Sequence, residues 1–64
     1  MFVRVRISSE RVTETEKELT AFAGFDPVRE GKWLVWKFSS RDVGDLFWVN
    51  AKATVGVVNA EMVN

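Results

Sequence analysis

The stretch "ATVGVVNAEMVN", residues 53–64, decides the fold, because it either closes one edge of the sheet or leaves that edge open. Its valines suit a strand, but Val57 and Ala60 also continue the apolar period of the helix that precedes it. No proline or Asn-Gly pair separates Asn50 from Gly56. We therefore expect the helix to continue through this stretch, bent near Gly56, with a fourth strand as the alternative.

Five elements precede this stretch. Ser8 or Ser9 is expected to cap the first helix, and Gly24 has the backbone freedom that commonly ends one. Alternating and helical periods predict strands at residues 2–8, 25–29 and 32–38, one helix over residues 9–23, and a second helix from Ser39 or Ser40 onward.

The order of these elements predicts an α+β fold of the βαββα type, in a single domain of residues 1–64. Three antiparallel strands in the order 1-3-2 would carry both helices on one face. Strand one would then be an open edge, and an open edge tends to pair with another chain. If residues 53–64 instead form a strand beside strand one, the fold is ferredoxin-like, βαββαβ, and that edge is closed.

The strands offer two faces of different character. Val3, Val5 and Leu34, with Trp36 and Phe38, form the better core face. The opposite face carries aromatic and basic side chains, at Phe2, Arg4, Arg6, Trp33, Val35 and Lys37. An apolar patch of this kind commonly marks an interface, so we expect a second protein chain to cover it. Stacking of single-stranded nucleic acid is the alternative, because aromatic side chains flanked by cations bind bases on sheets.

The second helix offers another candidate surface. Leu46, Phe47, Trp48 and Asn50 lie on or beside its apolar stripe, and aromatic residues often anchor interfaces. We expect these four residues to bind a partner protein.

Composition argues against catalysis. The chain has neither histidine nor cysteine, so the usual nucleophile–base pairs and zinc ligands are missing. We expect no catalytic residue, cofactor or metal, and hence no enzyme. Net charge is zero, which does not favour nucleic acid as the main partner. No apolar run is long enough to span a membrane and no signal peptide is visible, so a cytoplasmic location is expected.

Three short motifs resemble the small Pcc-type subunit of the KEOPS complex, a family of archaea and eukaryotes. "ISSERV" (7–12) resembles its passage from strand one into helix one, and "EGKWLVWKF" (30–38) its Glu-Gly turn and third strand. "SSRDVGDL" (39–46), followed by Val49 and Asn50, resembles its second helix.

The resemblance implies a non-catalytic subunit. Such a chain would dimerise with itself or with a paralogous Pcc-type subunit, and would bind the catalytic subunit through its helices. The assembly makes threonylcarbamoyladenosine in tRNA, so any contact of the chain with tRNA would occur within the complex. A single-strand nucleic-acid binder and a stand-alone protein-interaction module are the alternatives.

Overall fold

A computed structural model describes residues 1–63. The elements follow the order βαββαβ. They are β1 (Phe2–Ile7), α1 (Val12–Ala23), β2 (Val28–Glu30), β3 (Trp33–Lys37), α2 (Arg41–Ala53) and β4 (Val57–Val63).

The four strands form one antiparallel sheet in the order β2-β3-β1-β4. The prediction of an α+β fold is confirmed, but the three-stranded sheet is wrong. The tail is a strand, and the ferredoxin-like alternative describes the arrangement. β1 is therefore an inner strand and not the open edge that we expected. The edge strands are β4 and β2. β2 has only three residues and begins directly after Pro27.

Gly56 explains why the helix does not continue into the tail. Its φ of 99° lies in the left-handed region that favours glycine. A Cβ atom at this position would stand 2.5 Å from the Thr15 hydroxyl oxygen. The Ser8 N–H donates to the Gly56 carbonyl (2.8 Å) and the Thr15 hydroxyl to the Val55 carbonyl (3.1 Å). These contacts fix the turn against α1, from which β4 continues alongside β1.

The helix ends differ in how well the sequence predicted them. α2 begins after Ser40, whose hydroxyl accepts a hydrogen bond from the Val43 N–H. Gly24 ends α1 in the left-handed conformation, as predicted. The start of α1 was predicted three residues too early, and its N-cap is Arg11, which makes no side-chain capping bond. The predicted caps, Ser8 and Ser9, lie in the loop before it.

The core lies between the helices and one face of the sheet. Trp36 is fully buried, and its indole N–H donates to the Phe25 carbonyl at 3.0 Å. Its ring centroid lies 5.0 Å from that of Phe47. The other buried apolar residues are Val3, Val5, Leu19, Leu34, Phe38 and Ala51. The core faces that alternation predicted for β1 and β3 are thus confirmed, because both strands bury side chains on those faces.

Candidate protein-interaction surfaces

The open face of the sheet, turned away from the helices, carries all six residues that we predicted for chain pairing. Their positions follow from the strand register, in which Phe2 pairs with Lys37, Arg4 with Val35, and Arg6 with Trp33. These pairs alternate with the buried pairs Val3–Trp36 and Val5–Leu34. The side chains of the three unburied pairs therefore project from the same side of the sheet, opposite to the core.

One diagonal of this face is apolar. Val28 stands opposite Val35, and Phe2 stands opposite Val63, so each strand contributes one residue. Val35 and Phe2 are diagonal neighbours across β3 and β1, a spacing at which large side chains still interact. Val28 is 64% exposed, Val63 42% and Phe2 38%. We call these four residues the apolar band.

The surroundings of the apolar band are charged with both signs. Lys37 lies with its ammonium nitrogen 5.8 Å from the centre of the Phe2 ring. A depression of about 270 Å³ is lined by the apolar residues Phe2, Phe25, Val28 and Val35 and by the charged residues Asp26, Glu30 and Lys37. An apolar centre with a polar margin is the general anatomy of a protein interface.

The rest of the open face is a cation–aromatic cluster. The guanidinium carbon of Arg4 lies 4.4 Å from the centre of the Trp33 ring, and that of Arg6 lies 5.7 Å away. Arg4 also donates from Nε (2.8 Å) and Nη2 (2.6 Å) to one oxygen of Glu61. Trp33 is therefore partly covered by its own chain, which the sequence did not reveal because Glu61 lay in the predicted helix.

The predicted helical surface is divided by the structure. Leu46 is 63% exposed and Asn50 is exposed, so both are accessible to a partner. Phe47 is 1% exposed and belongs to the core, where it packs on Trp36. Trp48 is half-buried against β4, with its indole N–H donating to the Ala60 carbonyl at 2.9 Å. Placing Phe47 on this surface was therefore wrong, because the helix turns it inward beside Ala51.

Sequence reasoning missed three exposed apolar residues near Leu46. Val43 and Val49 lie on α2, and Phe22 lies at the end of α1, where its ring contacts Phe47. Val43, Leu46 and Asn50 recur at spacings of three and four, so they share one side of α2. Trp48 contacts β4, whereas Val43, Leu46 and Asn50 lie on the side of α2 that faces away from β4. Leu46 and Asn50 were predicted for this surface from the sequence, and the same helical spacing includes Val43.

Two structural findings bear on other sites. Within residues 1–63, no group of three acidic side chains is placed to hold a metal ion. No helix in the same part of the chain is both long and apolar enough to cross a membrane.

Comparison with known proteins gives no relative: no family model, no curated protein and no solved structure matches the chain. The resemblance to Pcc-type subunits therefore stays a prediction from three short motifs.

Proposed function

We propose that this chain is a non-catalytic protein-interaction module that pairs with a second copy through the open face of its sheet. The observation that carries the proposal is the apolar band, which crosses all four strands and remains accessible to solvent. Burial of such side chains contributes roughly 25 cal/mol for each Å² removed from water.

A second copy suits this face because nothing in the charge of the chain opposes self-association. Nine basic residues balance nine acidic ones, and proteins of near-zero net charge associate more readily than charged ones. The depression over the band is also lined by charges of both signs, Lys37 together with Asp26 and Glu30. Two copies that meet on this face can therefore pair unlike charges around an apolar centre.

The second surface of the module is the side of α2 that bears Val43, Leu46 and Asn50. It lies in the helical layer, on the opposite side of the sheet from the apolar band, so the two surfaces can be occupied together. In the assembly implied by the sequence resemblance, this surface would bind the catalytic subunit of a KEOPS-like complex. The chain would then support the modification of tRNA without contributing a reacting group.

A matched pair of valines tests the pairing. Val28→Glu places a charge in the apolar band, whereas Val58→Glu places one on another exposed position of the sheet, 59% exposed. In sedimentation velocity, we expect the wild type and Val58→Glu to form dimers and Val28→Glu to remain monomeric. Equal dimerisation of the two variants would contradict pairing through the band.

The helical surface calls for a separate experiment. Tagged wild-type chain should co-purify with the catalytic subunit of a KEOPS-type complex from the same source, and Leu46→Glu should abolish that capture. Leu46→Glu should leave dimerisation unchanged, because Leu46 lies on the other side of the sheet. If the wild type captures no such subunit, the KEOPS assignment fails while the pairing proposal still stands.

A single-strand nucleic-acid function is the second candidate, and the cation–aromatic cluster favours it. Trp33 and Phe2 lie on the two inner strands, and each has a cation near its ring. Arrangements of this kind stack unpaired bases. A filter-binding titration with single-stranded RNA tests this function. Salt-dependent retention that Trp33→Ala abolishes would favour it, and no retention at low salt would exclude it.

A further inference from the structure

A basic cleft lies outside the apolar band and outside the helical surface, and it shares only Arg6 with the residues predicted for chain pairing. It occupies about 480 Å³ between the loop after β1 and the turn that joins β2 to β3. Three cations line it, at Arg6, Arg29 and Lys32, and no acidic residue does. Ser8 and Ser9 line it as well.

The charges of the cleft are unequally neutralised. Arg29 donates to a carboxylate oxygen of Glu16 at 2.5 Å, so its charge is paired. Within residues 1–63, neither Arg6 nor Lys32 forms an ion pair. The cleft thus has two cations free to neutralise an anion that enters it.

The two serines are available as hydrogen-bond donors. Their hydroxyl groups make no hydrogen bond to other parts of the described chain, since α1 begins later than their sequence suggested. The backbone that carries Ser8 is nevertheless fixed, because its N–H donates to the Gly56 carbonyl and its carbonyl accepts from the Arg11 N–H at 2.9 Å. The position of this wall is therefore set by the fold before any ligand arrives.

A phosphate group matches these donors best. It is a compact anion with several acceptor oxygens, and its hydrogen bonds to charged donors are stronger than neutral ones. We propose that the cleft binds a phosphate group on a small ligand, through Arg6, Lys32 and the hydroxyl groups of Ser8 and Ser9. This site does not depend on the proposed pairing of two chains, because the apolar band lies outside it.

The neighbourhood of the cleft also suggests what the phosphate is attached to. Arg6 lies within 5.7 Å of the Trp33 ring centre, and Lys32 directly precedes Trp33 in the chain. Trp33 itself does not line the cleft, so an aromatic group on the ligand would have to extend past Arg6 to reach the indole ring. A nucleoside monophosphate has both parts, whereas inorganic phosphate has only the shared anion.

Chemical-shift titration of the full chain tests the site. Sodium phosphate is added, with sodium chloride at the same ionic strength as the reference. We expect saturable shifts of the Ser8, Ser9 and Lys32 amide signals. Shifts that rise linearly without saturation, or that spread evenly over the surface, would overturn the proposal.

A charge-matched pair of variants separates a site from general attraction. Lys32→Gln should weaken phosphate binding about fivefold, because one charged donor is lost. Lys17→Gln removes the same charge from another cleft, which Glu16 and Asp26 also line, and should change binding less than about twofold. Both residues are exposed, and well-dispersed amide spectra would show that both variants fold. Equal weakening by the two substitutions would overturn the proposal.

Adenosine monophosphate distinguishes the two sources of the phosphate. Tighter binding than inorganic phosphate, with a shift of the Trp33 indole N–H signal, identifies a nucleotide as the ligand. Equal affinity without that shift identifies the phosphate group alone. Binding of neither compound overturns the site.

Discussion

Trp33 and Trp36 lie on the same strand, but they are stabilised in opposite ways. Trp36 is enclosed by the core, and its indole N–H reaches the Phe25 carbonyl. Trp33 lies on the open face beside the guanidinium groups of Arg4 and Arg6. The Trp36 ring is held by burial, and the Trp33 ring is held by two cations of the neighbouring strand β1. An aromatic residue on an open sheet face therefore need not be covered by a partner, and the apolar band next to it is the stronger sign of one.

The largest expected effect is that of Trp36→Ala. Removing a buried ring from a core should lower the free energy of unfolding by about 4 kcal/mol, and it also leaves the Phe25 carbonyl without its donor. A small domain has little stability to lose, so the variant should be largely unfolded by far-ultraviolet circular dichroism. Trp36→Phe retains most of the apolar contact and should remain folded, and equal losses for the two variants would contradict this account.

The next effect concerns the turn that brings β4 beside β1, since Glu61 reaches Arg4 only from that strand. Gly56→Ala combines a positive φ with the close approach of Thr15, and should cost about 3 kcal/mol in urea denaturation. Gly31→Ala also has a positive φ, of 63°, but nothing lies within 4 Å of the added atom. It should cost about 1 kcal/mol, because a residue with a Cβ atom is disfavoured in the left-handed conformation. A larger loss for Gly31→Ala than for Gly56→Ala would show that the close approach of Thr15 is not what excludes a side chain at position 56.

Trp33→Ala should have a smaller effect on folding. Its contacts with Arg4 and Arg6 are partly exposed, and each cation–π contact of this kind contributes about 0.5–1 kcal/mol. We therefore expect a loss of about 1–2 kcal/mol, measured by the same denaturation. A loss as large as that of Trp36→Ala would break the distinction between the two faces.

The sequence predicted the faces of the strands because a two-residue alternation needs no knowledge of distant contacts. Trp36, Phe38 and Leu34 were correctly assigned to the core in this way, and Val35 and Trp33 to the open face. The end of α1 could also be predicted locally, because it depends on the left-handed conformation of one residue, Gly24.

Contacts between residues that are far apart in the sequence could not be predicted. The tail fits a helical period as well as a strand period, and the turn at Gly56 that redirects it packs against Thr15 of α1, which is far away in the sequence. With β4 assigned to a helix, neither the pair Arg4–Glu61 nor the position of Val63 in the apolar band could be foreseen. Phe47 was misplaced because a helix stripe shows which residues share a side but not how deeply each is buried.

The smallest expected effect is that of Glu61→Gln. Arg4 and Glu61 are both partly exposed, and pairs of this kind contribute about 0.2–1 kcal/mol. We expect a loss within that range at low salt and almost none at 1 M salt, where the Debye length is about 3 Å. A loss that is unchanged by salt would indicate that hydrogen bonding, and not charge, holds Arg4 over Trp33.

Whether the apolar band joins two copies of the chain is the central question. The most direct measurement is an isotope-filtered nuclear Overhauser experiment on a mixture of labelled and unlabelled chains. Pairing through the band predicts contacts between the Phe2 ring of one copy and the methyl groups of Val28, Val35 or Val63 of the other. Intermolecular contacts confined to Leu46 and Val43, or none from the band at millimolar concentration, would contradict the account.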